Sequence, residues 1–213
     1  MSELTLVGRS SSHYTRITRM FAMELGVQLA FQPVYDITSL DKTIYGENPA
    51  LKIPVLVTET GPLFGCENIC REIIRRAGAK NKKPKKKSEV VMRGDVDSRL
   101  VANAEELTLH AMQSGAIVIL AKMGGGAPSA KTMQSLENTL AWLDANVEEA
   151  IAKLPEERTV SFLEVSLFCL VRHLPFRSVI DVKPYTKLGA FADAYGQRAS
   201  ARETEYRIDT KPE

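Results

Sequence analysis

The sequence is poor in cysteine and has no long apolar run, and both deficits exclude classes of protein. Its 213 residues contain three cysteines, an odd number that does not suggest a disulfide framework. Cys66 and Cys70 do not form a Cys-x-x-Cys redox pair, and no second cysteine pair completes a zinc site. No stretch of about 18 apolar residues predicts a transmembrane helix. The first residues lack the basic and apolar regions of a secretory signal, so we expect a cytoplasmic protein.

The motifs of several enzyme classes are also missing. The glycines at 124–126 follow no predicted strand and precede no Lys-Ser/Thr pair, so they do not indicate a phosphate-binding loop. No His-Glu-x-x-His motif, Ser/His/Asp order or carboxylate cluster points to another reaction class, and no metal site is predicted. The composition is 44% hydrophobic with a mean hydropathy of −0.13, which is typical of a globular protein with one or two cores.

The first 79 residues have the element order of a small α/β domain. Residues 3–8 alternate apolar and polar side chains, as a strand does, and a helical pattern follows that ends at Gly26. Residues 29–34 predict a second strand, and a hairpin and a last helix come after it. This βαβ–ββα order predicts a mixed sheet with helices on both faces.

The stretch 48–71 is the part around which this domain is organised. Pro54 heads a short apolar run, where it either begins an edge strand or follows a cis peptide bond in a tight turn. Residues 58–61 then reverse the chain into a second short strand at 62–64, which predicts a hairpin. The helix after it has Asn68 as a suitable N-cap, so Glu67 and Asn68 lie where free backbone N–H groups can bind a small carboxylate.

Residues 48–71 resemble the second half of the thioredoxin-like domain of cytosolic glutathione transferases. The family pattern runs approximately N-P-x-G-K-V-P-x-L, then a hairpin, then L-x-E-S-x-A-I. This chain has N-P-A-L-K-I-P-V-L from Asn48 and E-N-I from Glu67. It departs from the pattern at Leu51, where the family has glycine, and at Asn68, where the family has serine.

The resemblance implies a glutathione site around the proline and the start of the following helix. Pro54 would be cis, and Ile53, with Lys52 before it, would offer its backbone to the cysteinyl part of glutathione. Glu67 and Asn68 would hold the γ-glutamyl end.

Glutathione chemistry also needs a thiolate, and three serines are candidates to stabilise it. A free thiol has a pKa of about 8.5, and a hydroxyl donor at a helix N-terminus favours its charged form. Counted back from Glu24-Leu25-Gly26 at the end of the first helix, Ser12 occupies the position of the residue that faces the sulfur in Ser- or Cys-type members of the family. Ser11 or Ser10 takes that place if the loop is longer by one or two residues, and all three can instead be capping and loop residues.

A lysine-rich linker is predicted at 80–92, since dense like charges repel one another and favour an extended, solvated chain. Such a tract can also bind nucleic acid. However, the net charge of +2 would be −4 without its six lysines, whereas nucleic-acid binders spread positive charge over a face. We therefore expect no nucleic-acid partner. The six residues are Lys80, Lys82, Lys83, Lys85, Lys86 and Lys87.

Residues 93–213 predict an all-helical domain. Two long helical patterns, 96–121 and 133–154, precede a capping box formed by Ser161 and Glu164. The helix that this box opens is apolar nearly all round, which predicts the buried centre of the domain. Glutathione transferases have a similar buried helix opened by Ser/Thr-x-x-Asp. The predicted fold is thus an α/β thioredoxin-like N-terminal domain, residues 1–79, followed by the linker and an all-α C-terminal domain.

The resemblance implies a Ser-type, bacterial-like glutathione transferase. It would be a homodimer that activates its co-substrate glutathione for attack on a small electrophile chosen by the second domain. His13, expected to be exposed beside the cleft, and His110 are candidates for the electrophile pocket, although either can be structural. The alternatives are a glutathione-dependent isomerase or dehalogenase, and a non-catalytic interaction module.

Overall fold

The computed structural model describes residues 4–80 and 90–211, which form two compact units. The first unit is Met1–Lys86 with Ala199–Glu213, and the second is Lys87–Arg198. Residues 199–211 are predicted to belong to the second domain, but in the structure they belong to the first unit, because this segment packs along the first helix of that unit.

The first unit contains a four-stranded sheet, and its strands lie in the order β2 (Ala30–Pro33), β1 (Thr5–Gly8), β3 (Val55–Thr58) and β4 (Gly61–Phe64). β1 is parallel to β2 and antiparallel to β3, and β3 is antiparallel to β4, so the predicted mixed sheet is confirmed. The elements are β1 Thr5–Gly8, α1 His13–Glu24, β2 Ala30–Pro33, a 3-10 helix Lys42–Tyr45, β3 Val55–Thr58, β4 Gly61–Phe64 and α2 Cys66–Lys80, with a helix at Ala199–Glu203 that is α7 in chain order.

Two apolar layers cover the two faces of this sheet. Leu6 pairs with Leu56 and Val7 with Val55, and alternate residues of a strand point to opposite faces. On the Val7–Val55 face, Val34 and Tyr45 complete a buried cluster, with Tyr45 supplied by the 3-10 helix. α1 and α2 pack against each other, and α2 contacts β3 and β4.

The structure decides between the two interpretations of Pro54. β3 lies between β1 and β4, so the edge-strand interpretation is wrong. The Ile53–Pro54 peptide bond is cis, as the alternative predicted.

The predicted linker is shorter at both ends than 80–92. α2 continues to Lys80, and Val90–Val91 form a short strand, β5, that belongs to the second unit. The other five lysines of the tract lie outside the described residues.

The second unit is helical, with one short parallel ladder between β5 and β6. Its elements are β5 Val90–Val91, α3 Arg99–Met123, α4 Ala130–Ala152, β6 Val160–Ser161, α5 Phe162–Phe176 and α6 Thr186–Tyr195. α5 contacts α3 and α6 and is buried along most of its length, which confirms it as the centre of this unit. Within the described ranges, no helix is long and apolar enough to cross a membrane.

An ion pair stabilises the entry to α5. Ser161 caps the helix, since its side chain accepts from the Glu164 N–H. The Glu164 carboxylate, which the capping box would direct to the cap amide, accepts from Arg158 Nε and Nη2, each at 2.7 Å. Arg158 Nη1 also donates to the Pro155 carbonyl at 2.6 Å. The side chains of Arg158 and Glu164 are only 16% and 11% exposed, so this bidentate pair joins the preceding turn to the core helix.

We predict that Arg158→Ala lowers the free energy of unfolding of the second unit by about 2–4 kcal/mol, because it leaves the Glu164 carboxylate nearly buried and unpaired. Urea unfolding followed by the fluorescence of Trp142, the single tryptophan, reports on this unit. The double variant with Glu164→Ala should lose less than the sum of the single losses. Arg172→Ala breaks an exposed pair with Asp193 and should cost less than about 1 kcal/mol. Additive losses in the Arg158–Glu164 cycle would contradict this account.

Candidate functional site

Three chain segments meet at one edge of the sheet in the first unit. Val55, the first residue of β3, lies opposite Val7 near the end of β1 and opposite Phe64 at the end of β4. The segments after β1, before β3 and after β4 therefore leave the sheet at the same edge. They are the serine loop (residues 9–12), the cis-proline loop (residues 48–54) and the N-terminus of α2.

The serine loop ends in Ser12, which is the N-cap of α1. Its Oγ accepts from the Thr15 N–H at 3.3 Å, and its own N–H donates to the Arg9 carbonyl at 3.0 Å. A hydroxyl that accepts from the helix can still donate its proton outward. Ser12 is half-buried, whereas Ser10 and Ser11 are buried. Its hydroxyl is therefore the most accessible of the three.

Close packing between β1 and α1 fixes the start of this loop. A Cβ at Gly8 would lie 2.6 Å from side-chain atoms of Thr15, so a larger residue would force the loop away from α1. The Thr15 hydroxyl also accepts from the Arg9 N–H at 3.3 Å. The loop is thus held at both ends by the first turn of α1.

The cis-proline loop is closed by the buried side chain of Asn48. Its Nδ2 donates to the Lys52 carbonyl at 2.7 Å, and its Oδ1 accepts from the Ala50 N–H at 3.0 Å. These bonds turn the chain toward the cis Ile53–Pro54 bond. Within residues 4–80 and 90–211, the backbone N–H and carbonyl of Ile53 have no hydrogen-bond partner, and Lys52 is exposed.

The backbone conformation of Leu51 explains why glycine is usual in the pattern that this loop resembles. Leu51 has a φ of +52°, in the left-handed region that glycine adopts without steric cost. For a residue with a Cβ this conformation costs roughly 1–2 kcal/mol. Leu51 also packs against the cluster of Val7, Val34, Tyr45 and Val55, which offsets part of that cost.

α2 begins three residues earlier than an N-cap at Asn68 implies, so that prediction is wrong. The Ile69 N–H donates to the Gly65 carbonyl at 3.0 Å, and the first turn therefore starts directly after Gly65. Gly65 has a φ of +90°, which requires glycine. The Nδ2 of Asn68 donates back to the Phe64 carbonyl at 3.0 Å. Glu67 and Asn68 still lie in the first turn, where the helix dipole favours an anion.

Glu67 forms an ion pair with the next turn of α2. Its Oε1 lies 2.8 Å from Arg71 Nη2, and both side chains are partly exposed. Such pairs contribute about 0.2–1 kcal/mol. The ion pair with Arg71 therefore contributes little to stability.

Tyr14 and Cys66 join the N-termini of α1 and α2, and the sequence pattern does not indicate either as part of the site. The Cys66 thiol lies 3.5 Å from the Tyr14 carbonyl. Burial, together with the neighbouring Cys66, raises the pKa of Tyr14 to about 12, so its phenol stays protonated at neutral pH. The one available signal was that Cys66 directly precedes the Glu67-Asn68 pair.

The two candidate histidines lie in different units and differ in exposure. His13 is buried and its ring contacts that of Tyr14 at a centroid distance of 4.2 Å, so the expectation of an exposed His13 is wrong. His110 lies on α3 in the second unit, exposed, with its Nε2 at 3.0 Å from Glu106 Oε1. In the described ranges, no three His, Cys, Asp or Glu side chains are grouped as metal ligands would be.

Known structures share this architecture over almost the whole chain. A glutathione S-transferase from Methylobacillus flagellatus with glutathione bound is 20% identical, with a TM-score of 0.75 over 96% of this chain and all of its own. A glutathione transferase family member from Pseudomonas fluorescens, also with bound glutathione, is 22% identical, with a TM-score of 0.73 over 97% of this chain and all of its own. A delta-class glutathione transferase from Nilaparvata lugens is 18% identical, with a TM-score of 0.71 over 95% of this chain and 92% of its own.

These similarities establish that the chain has the glutathione transferase fold, with a thioredoxin-like domain and a helical domain. No protein-family model matches the sequence, and no curated protein matches it.

Cys66 should be the first cysteine to react with a thiol reagent in the native protein. It is half-buried, whereas Cys70 and Cys169 are fully buried. We expect one fast-reacting thiol per chain under native conditions and three in denaturant. Cys66→Ser should remove the fast phase, and Cys169→Ser should retain it. A fast phase that persists in Cys66→Ser would show that another cysteine is the accessible one and would contradict this prediction.

Proposed function

We propose that this protein is a Ser-type cytosolic glutathione transferase that binds glutathione at the edge of the sheet described above. The observation that carries the proposal is the convergence of three groups: the Ser12 hydroxyl, the N-terminus of α2, and the backbone of Ile53, which has no hydrogen-bond partner among the described residues. The bound glutathione in the Methylobacillus and Pseudomonas proteins, which have the same fold, supports it.

In this proposal Ser12 stabilises the thiolate. Its oxygen accepts from Thr15, so its proton is available to the sulfur, and the positive end of α1 adds to the effect. Ser11 is the second candidate, but it is buried and the loop would have to move to expose it. A charged acceptor makes such a hydrogen bond roughly twice as strong as a neutral one.

The two ends of the tripeptide have separate contacts in this proposal. The N–H and carbonyl of Ile53, which lies between Lys52 and Pro54 in the loop closed by Asn48, pair with the cysteinyl backbone. The first-turn amides of α2 and the side chain of Asn68 meet the γ-glutamyl carboxylate, while Glu67 meets the ammonium group.

The proposal has further parts that rest on the resemblance to the family. The second unit would select a small electrophile, with His110 as the candidate contact, and the protein would be a homodimer in the cytoplasm. Sedimentation equilibrium distinguishes a dimer from a monomer of 23.6 kDa. Retention on immobilised glutathione together with conjugation of an electrophile supports an enzyme. The absence of both would favour a non-catalytic interaction module, and glutathione-dependent turnover without conjugation would favour an isomerase.

Ser12→Ala should raise the pKa of the bound glutathione thiol by about one to two units, because it removes one hydrogen bond to a charged acceptor. Glutathione affinity should change much less, since the two ends of the ligand are held elsewhere. The measurement is ultraviolet thiolate absorbance of bound glutathione against pH, for alanine at Ser10, Ser11 and Ser12.

The structure provides a matched control for the capping role of Ser12. Ser129 caps α4 in the same way, with its Oγ accepting from the Thr132 N–H, so Ser129→Ala loses a cap of the same kind on a helix of the second unit. Ser12→Gly retains most of the capping energy and should still shift the thiol pKa. If the thiol pKa shifts only in Ser11→Ala, Ser11 and not Ser12 stabilises the thiolate. If it shifts in none of the variants, no serine of this loop stabilises the thiolate.

Glu67→Gln should weaken glutathione binding by about 1.5–3 kcal/mol, which is a ten- to hundred-fold loss, because it removes a charged partner of the ligand ammonium. Isothermal titration calorimetry measures it. Arg71→Gln is the matched variant: it removes the Arg71–Glu67 ion pair and keeps the Glu67 carboxylate, so it should bind glutathione with an affinity close to that of wild type. Unchanged affinity in Glu67→Gln would exclude Glu67 from the site.

A further inference from the structure

The C-terminal segment, residues 199–209, lies along α1 in the opposite direction and is called the C-terminal strap below. Near its start, the Ser200 hydroxyl donates to Glu24 at the end of α1. Farther along, buried Arg16 of α1 donates from Nη2 to the Ala201 carbonyl at 2.8 Å and from Nε to Thr204 Oγ1 at 3.4 Å. The strap is thus anchored by polar contacts along the length of α1.

The far end of the strap reaches the serine loop. The Arg16 guanidinium lies over the Tyr206 ring at 4.3 Å from its centroid. Beyond it, Asp209 Oδ2 accepts from the Ser10 N–H at 2.7 Å, a contact between residues 199 positions apart. The contacts therefore follow α1 backward, from Glu24 through Arg16 to the loop that precedes the helix.

The environment of Asp209 makes this contact strong. The Asp209 side chain is 7% exposed, and Arg207, a mostly exposed cation, lies 3.7 Å away from it. Buried in part, Arg19 also interacts electrostatically with Asp209. A carboxylate that accepts from an amide in such surroundings forms a charge-assisted hydrogen bond. Ser10 is itself buried, and its Oγ has no partner within the described ranges, so its backbone N–H carries the polar contact to the strap.

Ser10 lies within the turn that places Ser12. The Ser12 N–H donates to the Arg9 carbonyl across Ser10 and Ser11, so the position of the Ser10 peptide limits the orientation of the whole turn. A substitution of Asp209 should therefore change the position of the Ser12 hydroxyl, although the two residues share no direct contact.

We propose that Asp209 is a positioning residue for the active-site serine, and that the C-terminal strap is a structural part of the glutathione site. The inference rests on the proposed function only in its second half. In the first half, Asp209 orders the serine loop, whether or not glutathione is bound. In the second half, the ordered loop sets the pKa of the glutathione thiol, and this requires the proposed site.

The first half is tested by hydrogen–deuterium exchange of the peptide that contains residues 9–12, without ligand. Asp209→Ala should speed exchange there about ten-fold or more, because a charge-assisted hydrogen bond is lost. Asp209→Asn keeps an acceptor oxygen and should give an intermediate rate. Asp193→Ala removes an exposed carboxylate of the second unit and should leave the rate unchanged. Equal rates in wild type and Asp209→Ala would overturn the proposal.

The second half is tested by thiolate absorbance of bound glutathione against pH in the same variants. Asp209→Ala should raise the apparent thiol pKa in the same direction as Ser12→Ala, with partial recovery in Asp209→Asn and little change in glutathione affinity. Faster exchange with an unchanged thiol pKa would overturn the link to the serine. If wild type itself binds no glutathione, the proposed function fails, and the exchange rates still decide whether Asp209 orders the loop.

Discussion

The antiparallel pairing of β1 with β3 is the constraint on which the candidate site depends. The pairing of Leu6 with Leu56 and of Val7 with Val55 places the serine loop and the cis-proline loop at one edge of the sheet. A slip of one residue would exchange the two faces of a strand, moving Val7 out of its buried cluster. The hydrophobic pattern that sets the register therefore also sets the geometry of the site.

The site relies on helix ends and backbone groups more than on charged side chains. The N-termini of α1 and α2 adjoin through Cys66 and Tyr14, and both helices direct partial positive charge to the same edge. The Tyr14 phenol is kept neutral by burial. An arrangement of neutral donors and dipoles suits an anion that must remain nucleophilic, since it stabilises charge without neutralising it by proton transfer.

The sequence predicted the features that have a short-range cause. The first strand and the helix end at Gly26 are local, and the structure contains both. The residues around Pro54 left an edge strand and a cis bond open, and the structure has the cis bond. The start of α2 was predicted wrongly because Gly65 supplies the unusual φ at which the helix begins, and Asn68 was an attractive cap by composition. The burial of His13 and the strap depend on contacts between distant segments. Such contacts leave no periodic signal, so the domain boundary at residue 199 could not be predicted.

A crystal structure with glutathione bound tests the central claim most directly. The account predicts the sulfur within hydrogen-bond distance of the Ser12 hydroxyl, about 3 Å. It also predicts the cysteinyl backbone paired with Ile53 and the γ-glutamyl carboxylate at the first turn of α2. Glutathione bound elsewhere, or a sulfur that faces away from the serine loop, would contradict it.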